Sequence, residues 1–120
     1  MVVKIIMDTN FVIIPFLFKV DIYSEITRLV DEKYELCFPD ICEAELAKLK
    51  ECKASKALME TKNVKIIKVD RIKNVDNSII EYAKKEKSII ATQDQGIKRI
   101  AKQENLEILT LRSKKYLIRL

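Results

Sequence analysis

Apolar and polar residues recur along the chain with two different periods. Short apolar runs rich in valine and isoleucine, each closed by polar residues, are typical of buried strands. Five runs have this character, and they predict strands over residues 2–7, 35–38, 64–69, 88–91 and 106–109. The first run ends at Asp8-Thr9-Asn10, a polar turn that can cap a following helix.

Between these runs, apolar residues are spaced three and four positions apart, which predicts amphipathic helices. The first begins near Asp21 or Ser24, and others are predicted after Pro39 and over 52–62, 76–85 and 94–103. This alternation, with short connections and no repeat, predicts the α/β fold class: a parallel sheet between helices, in one domain over residues 1–120. The tail, residues 112–120, fits a packed strand, a helix end or an RNA-contacting edge.

Two residue types that much of hydrolase and nucleotide chemistry needs are absent or scarce. A chain without histidine cannot host a Ser-His-Asp triad, an H-E-x-x-H zinc helix or a histidine-based nuclease. The single glycine, Gly96, excludes the glycine-rich phosphate loop and the dinucleotide-binding turn. Three cysteines without paired spacing indicate reduced thiols. Acidic and basic side chains are left to carry the chemistry.

The charge balance is basic, with a formal net charge of +5. This suits a polyanionic partner such as nucleic acid, and a solvated basic surface explains it equally well. No apolar run approaches the roughly 18 residues that a membrane span needs. We therefore expect a cytoplasmic protein that does not enter a membrane.

Four acidic residues fall at places where a parallel sheet binds its ligands, beyond the carboxyl ends of the strands. Asp8 and Asp94 directly follow predicted strands, Asp76 begins the helix after the third strand, and Glu45 lies one turn into the helix after the second. Their mutual repulsion at one crevice is costly unless cations neutralise it. Mg²⁺ or Mn²⁺, which prefer oxygen ligands, would do so and would activate water for phosphodiester hydrolysis.

Each of these acids, taken singly, has a simpler explanation. Asp8, Asp76 and Asp94 can serve as helix caps, and Glu45 can be an exposed charge on a helix. Only their joint placement after successive strands favours a metal site.

Four segments, in order and with matching spacing, resemble the motifs of PIN domains. Residues 8–13 are similar to the opening D-T-N-hydrophobic motif, and residues 45–49 to the E-L-x-x-L helix. Residues 75–80 resemble x-D-D-x-I, and residues 91–99 resemble A-T-x-D-x-x-L-K-R. One departure is Asn77, which stands where relatives often carry a second aspartate, so the predicted site binds metal more weakly or at fewer positions.

This resemblance covers essentially the whole chain and implies a three-layer α/β/α sandwich, metal-dependent RNA cleavage and often a homodimer or larger assembly. It assigns metal binding and water activation to four acids: Asp8, Glu45, Asp76 and Asp94. It assigns support of the site to four polar residues: Thr9, Asn10, Asn77 and Thr92. Candidate phosphate contacts, each also explained as solvated surface, are Lys98, Arg99, Lys114 and Lys115.

The biological setting stays open among several alternatives. Residues 11–22 and 111–117 are similar to the PIN subgroup related to ribosomal RNA processing endonucleases. A toxin of a toxin-antitoxin pair shares the same fold and chemistry, but it needs an inhibitory partner. A catalytically silent PIN domain that binds RNA or aids assembly is a third alternative, mildly favoured by Asn77. A flavodoxin-like or receiver-type domain fits the positions of Glu45 and Asp94 less well.

Overall fold

The computed structural model describes residues 2–120 and alternates strands with helices, as the sequence predicts. The strands are β1 (Val3–Met7), β2 (Tyr34–Pro39), β3 (Lys65–Ile67), β4 (Ile89–Ala91), β5 (Ile108–Arg112) and β6 (Tyr116–Arg119). The helices are α1 (Thr9–Val12), α2 (Ile14–Phe18), α3 (Ile22–Leu29), α4 (Glu43–Ala47), α5 (Cys52–Thr61), α6 (Val75–Glu86) and α7 (Gln95–Gln103). A single 3-10 turn, Asp40–Cys42, leads from β2 into α4.

All six strands form one sheet in the order β3-β2-β1-β4-β5-β6. The first five are parallel, which confirms the predicted α/β class with a central parallel sheet. β6 joins the edge antiparallel to β5, so the sheet is mostly rather than wholly parallel. Because β1 and β4 are adjacent at the centre, residues that follow them meet at one edge of the sheet.

The central strands are apolar along their length because both faces of the sheet are covered. Ile5, Ile6 and Met7 of β1 are fully buried, as are Ile90 and Ala91 of β4. Near-continuous apolar runs of this kind are expected where helices cover both faces of a parallel sheet. Cys37 and Cys42 are buried and Cys52 is half-buried, all with free thiols.

Helix starts follow capping chemistry, with one correction to the predicted boundaries. Asp21 caps α3 by accepting the backbone N–H groups of Tyr23 and Ser24. Asp76 does not cap α6: the cap is Asn74, which accepts the N–H of Asn77 at 2.8 Å, and Asp76 lies inside the first turn. None of the helices within residues 2–120 is both long and apolar enough to cross a membrane.

The tail forms the edge strand β6, and α3 holds it there. Glu25 Oε1 accepts the N–H of Leu117 at 2.9 Å, and the Arg28 guanidinium donates to the carbonyl of the same residue at 3.0 Å. Arg119 pairs with Glu32 and Glu107. Residues Tyr116–Arg119 therefore form a packed strand and not a helix end.

The connection from β3 to α6 is tied to the end of β2. Asp40 Oδ1 accepts the backbone N–H of Val69 at 3.0 Å, and Val69 itself is buried. Farther along, the Ser78 hydroxyl contacts the carbonyls of Ile72 and Asn74. These bonds fix the direction in which α6 starts, and with it the position of its first-turn residues.

Asp40→Ala is expected to lower the free energy of unfolding by roughly 1–2 kcal/mol, because the largely buried N–H of Val69 loses its acceptor. Asp40→Asn keeps a carbonyl oxygen at the same place and serves as the matched control, with a change under about 0.5 kcal/mol. Urea denaturation of both variants measures the difference. Equal destabilisation by the two substitutions would show that this hydrogen bond does not hold the connection.

Candidate active site

Asp8 is the first of the predicted acids, and it lies directly beyond β1 with only 6% of its surface exposed. Its Oδ1 accepts the N–H of Phe11 at 3.0 Å and so caps α1. Its Oδ2 accepts a short hydrogen bond from the Thr92 hydroxyl. The carboxylate is thus held at the end of the two central strands by one contact from each side.

Thr92 connects Asp8 to Asp94 and is completely buried. Its hydroxyl donates to Asp8 and accepts the backbone N–H of Asp94 at 3.0 Å. Since Thr92 directly follows β4, one side chain sets the spacing between the acids beyond β1 and β4. Thr92 therefore links the two acids through one hydroxyl group.

Asp94 caps α7, as the sequence predicts, by accepting the N–H of Ile97 at 2.9 Å through Oδ1. Gly96 lies against this carboxylate, and a Cβ atom at that position would come within 3.1 Å of Asp94 Oδ1. The single glycine of the chain is thus placed where a side chain would press on a site residue.

The remaining two acids come from helices α6 and α4. Asp76 is half-buried in the first turn of α6, and Glu45 is exposed on α4. Neither carboxylate accepts a hydrogen bond from any group within residues 2–120. Their oxygen atoms are therefore free of protein donors.

The carboxylates of Asp94 and Glu45 lie within electrostatic reach of both Asp8 and Asp76. The pKa of Asp8 is raised from 3.8 to about 7, chiefly by burial and in smaller part by the charges of Asp94 and Glu45, against hydrogen bonds from Thr92 and Phe11 that lower it. Burial also raises the pKa of Asp76, again with contributions from Asp94 and Glu45. Acids from four separate segments thus share one patch of negative potential.

No basic side chain of the described residues neutralises this patch. The ion pairs within residues 2–120 involve other acids, and none includes Asp8, Glu45, Asp76 or Asp94. The same residues contain no ready-made group of three metal-ligating side chains. Carboxylate oxygens without a protein cation nevertheless fit a hard divalent ion that keeps several waters and uses few protein ligands.

The other predicted supporting residues are placed differently from one another. Thr9 is buried and donates to the carbonyl of Cys42 at 3.4 Å, which ties α1 to the turn before α4. Asn77 is half-buried, and its backbone is held by Asn74. Asn10 is exposed and makes no side-chain hydrogen bond within the described chain.

The four predicted phosphate contacts lie on two different elements of the fold. Lys98 is half-buried on α7, one turn beyond Asp94, whereas Arg99 is exposed beside it. Lys114 and Lys115 lie in the turn between β5 and β6, with the Lys114 ammonium 5.7 Å from the centre of the Phe18 ring. This turn lies at the same edge of the sheet as the acids, because β5 is parallel to β4.

Sequence analysis missed two polar residues next to this site, Gln93 and Thr110. Gln93 Oε1 accepts the Thr110 hydroxyl at 2.7 Å and the N–H of Leu111 at 2.6 Å. The available signal was the position of Gln93 between Thr92 and Asp94, directly beyond a strand.

In EDTA, Asp8→Asn is expected to stabilise the protein above pH 7, by roughly 2 kcal/mol, and to have little effect near pH 4. The pKa of Asp8 is about 7 in the folded protein and 3.8 in the unfolded chain. Ionisation of Asp8 therefore lowers the free energy of unfolding increasingly as the pH rises between these two values. Thermal unfolding of both proteins from pH 4 to pH 8 measures the difference. A difference that does not change with pH would contradict the raised pKa.

Comparison with known proteins agrees with the geometry. A family model described as "PIN like domain" matches residues 5–114. Ribonuclease VapC4 of Methanocaldococcus jannaschii is 34% identical in an alignment that covers 94% of this chain and 93% of that protein. The solved structure of the PIN domain endonuclease Utp24 superimposes with a TM-score of 0.79 at 24% identity, covering 98% of this chain and 92% of the other.

The Utp24 match shows the shared fold, and the family model and VapC4 show the relationship in sequence. Nucleases of this family generally use divalent metal ions, in agreement with the unneutralised acids at the sheet edge. On these grounds the chain belongs to the PIN domain family of nucleases.

Proposed function

We propose that this protein is a metal-dependent endoribonuclease that hydrolyses RNA phosphodiester bonds at the edge formed by β1 and β4. The observation that carries the proposal is the group of four carboxylates from four segments, in which Asp94 and Glu45 act on both Asp8 and Asp76 and none forms an ion pair within residues 2–120. Such an arrangement is costly for folding and is maintained where a bound cation offsets the repulsion. The similarity to a protein named as a ribonuclease supports RNA as the substrate.

Mg²⁺ or Mn²⁺ is the proposed metal, held by Asp8, Glu45, Asp76 and Asp94. A bound divalent ion would supply a water of lowered pKa and would neutralise charge on the phosphate. The chain itself fixes the spacing of Asp8 and Asp94 through Thr92, and these two carboxylates would hold the ion between them. Asn77, next to Asp76, adds no charge here, which limits the number or strength of metal sites.

RNA binding is attributed to basic residues at the same edge. The net charge of +5 attracts a polyanion from a distance, and Lys98, Arg99, Lys114 and Lys115 are the proposed phosphate contacts. Each of these four residues lies on α7 or in the turn after β5. The strand would then cross the carboxyl edge of the sheet.

The direct test incubates labelled single-stranded and structured RNAs with the protein in Mn²⁺, Mg²⁺ or EDTA. We expect cleavage only with metal, and a loss of at least about 100-fold in Asp8→Asn and in Asp94→Asn. Asp31→Asn is the matched control, since Asp31 is an exposed acid just before β2, away from the site. It should cut as fast as the wild type.

Two results would overturn the nuclease proposal. The first is cleavage that persists in both site variants, because the acids would then not be needed. The second is an inert wild type that still binds RNA, which would favour the catalytically silent binding module.

A toxin-type setting is the second candidate, and the similarity to VapC4 over nearly the full length of both chains favours it. It requires a small inhibitory partner protein that binds this chain. The ribosomal RNA processing alternative rests on residues 11–22 and 111–117. Mapping the cleavage sites in total cellular RNA separates the two settings. Cuts at precursor rRNA boundaries support processing, and a single site in another RNA, blocked by a co-purifying protein, supports the toxin.

Light scattering tests whether the protein forms a homodimer.

A further inference from the structure

A second polar cluster continues the edge of the sheet beyond Asp94, and the carboxylates do not account for it. It consists of Gln93, Lys98 and Thr110, which we call the amide-lysine cluster. The Lys98 ammonium donates to the Thr110 hydroxyl at 3.2 Å, and that hydroxyl donates to Gln93 Oε1 at 2.7 Å. The cluster therefore joins the segment after β4, helix α7 and strand β5 in one chain of hydrogen bonds.

The orientation of the Gln93 amide is fixed by its partners. Its oxygen accepts the backbone N–H of Leu111, a group that can only donate, so oxygen and nitrogen cannot be exchanged. The two N–H groups of the nitrogen donate to nothing within residues 2–120. Gln93 is half-buried and lies between Thr92 and Asp94 in the chain.

Lys98 is a cation that lacks an acidic partner. Among the described residues it forms no ion pair, and its only side-chain bond goes to the neutral hydroxyl of Thr110. The Thr110 side chain is 4% exposed, so it is a fixed anchor rather than a mobile surface group. A half-buried ammonium with two unused donors is an incomplete anion-binding group.

We propose that Gln93 Nε2 and Lys98 Nζ bind a phosphodiester group of the RNA strand next to the one being hydrolysed. Thr110 is a positioning residue, because its hydroxyl holds Lys98 and Gln93 in place. The proposal rests on the nuclease function and adds the subsite that sets the path of the strand toward β5. Amide and ammonium donors converging from two elements match the oxygens of a phosphate, which accepts from both.

The test measures KM and kcat for RNA cleavage at saturating Mn²⁺. Gln93→Glu keeps the oxygen that accepts from Thr110 and Leu111 but replaces the free donors with a negatively charged acceptor. We expect KM to rise about tenfold, which corresponds to the loss of one charge-assisted hydrogen bond. We expect kcat to stay within about threefold of the wild-type value. Lys98→Gln should behave alike, and Thr110→Val should raise KM about threefold without changing the charge.

Lys102→Gln is the matched control, since Lys102 is exposed one turn farther along α7. It should leave KM within about twofold. Thermal unfolding of each variant separates lost binding from lost folding, and Gln93→Glu is expected to unfold at the wild-type temperature.

The outcomes distinguish the subsite from the nuclease itself. If the wild type cuts RNA but Gln93→Glu and Lys98→Gln keep its KM, the subsite is wrong and the nuclease stands. The same conclusion follows if Lys102→Gln raises KM as much as Lys98→Gln, because the effect would then come from general charge. A wild type that cuts no RNA with any metal would overturn both proposals.

Discussion

The hydrogen bond from the Thr92 hydroxyl to the Asp8 carboxylate is the contact on which the site depends. It crosses between the ends of β1 and β4, and the same hydroxyl receives the N–H of Asp94. Without it, the two carboxylates, which repel each other, would be free to separate toward water. Burial of Thr92 makes this costly, because an unpaired hydroxyl inside the protein loses its hydrogen-bond partners.

The strands and the two central acids could be predicted because local chemistry fixes them. β1 and β4 are continuous apolar runs, and Asp8 and Asp94 sit where a strand ends and a helix needs a cap. The prediction that Asp76 caps α6 was wrong by two residues, since the cap is Asn74. Both Asn74 and Asp76 have capping side chains, and the choice between them is made by Ser78, whose hydroxyl binds the carbonyls of Ile72 and Asn74.

The features that sequence analysis left open or missed depend on partners far along the chain. β6 is held by Glu25 and Arg28, about ninety positions away from Leu117. The role of Gln93 depends on its hydrogen bonds with Thr110 and Leu111 of the neighbouring strand, which the sequence does not show. Periodicity reports which face of an element is buried, but it does not say which element packs there.

The contacts of Glu25 and Arg28 with Leu117 also affect how the edge of the sheet can bind other molecules. Ile108 and Leu120 exchange backbone hydrogen bonds. Because hydrogen-bonded and non-hydrogen-bonded pairs alternate along an antiparallel ladder, the backbone N–H and C=O of Leu117 point away from β5. Glu25 and Arg28 occupy those groups. At the opposite edge, β3 has three residues, and exposed lysines at 65 and 68 flank it. Both edges of the sheet thus resist the addition of a strand from another molecule. This disfavours edge-to-edge aggregation at high protein concentration. A partner would accordingly bind side chains and not a free strand edge.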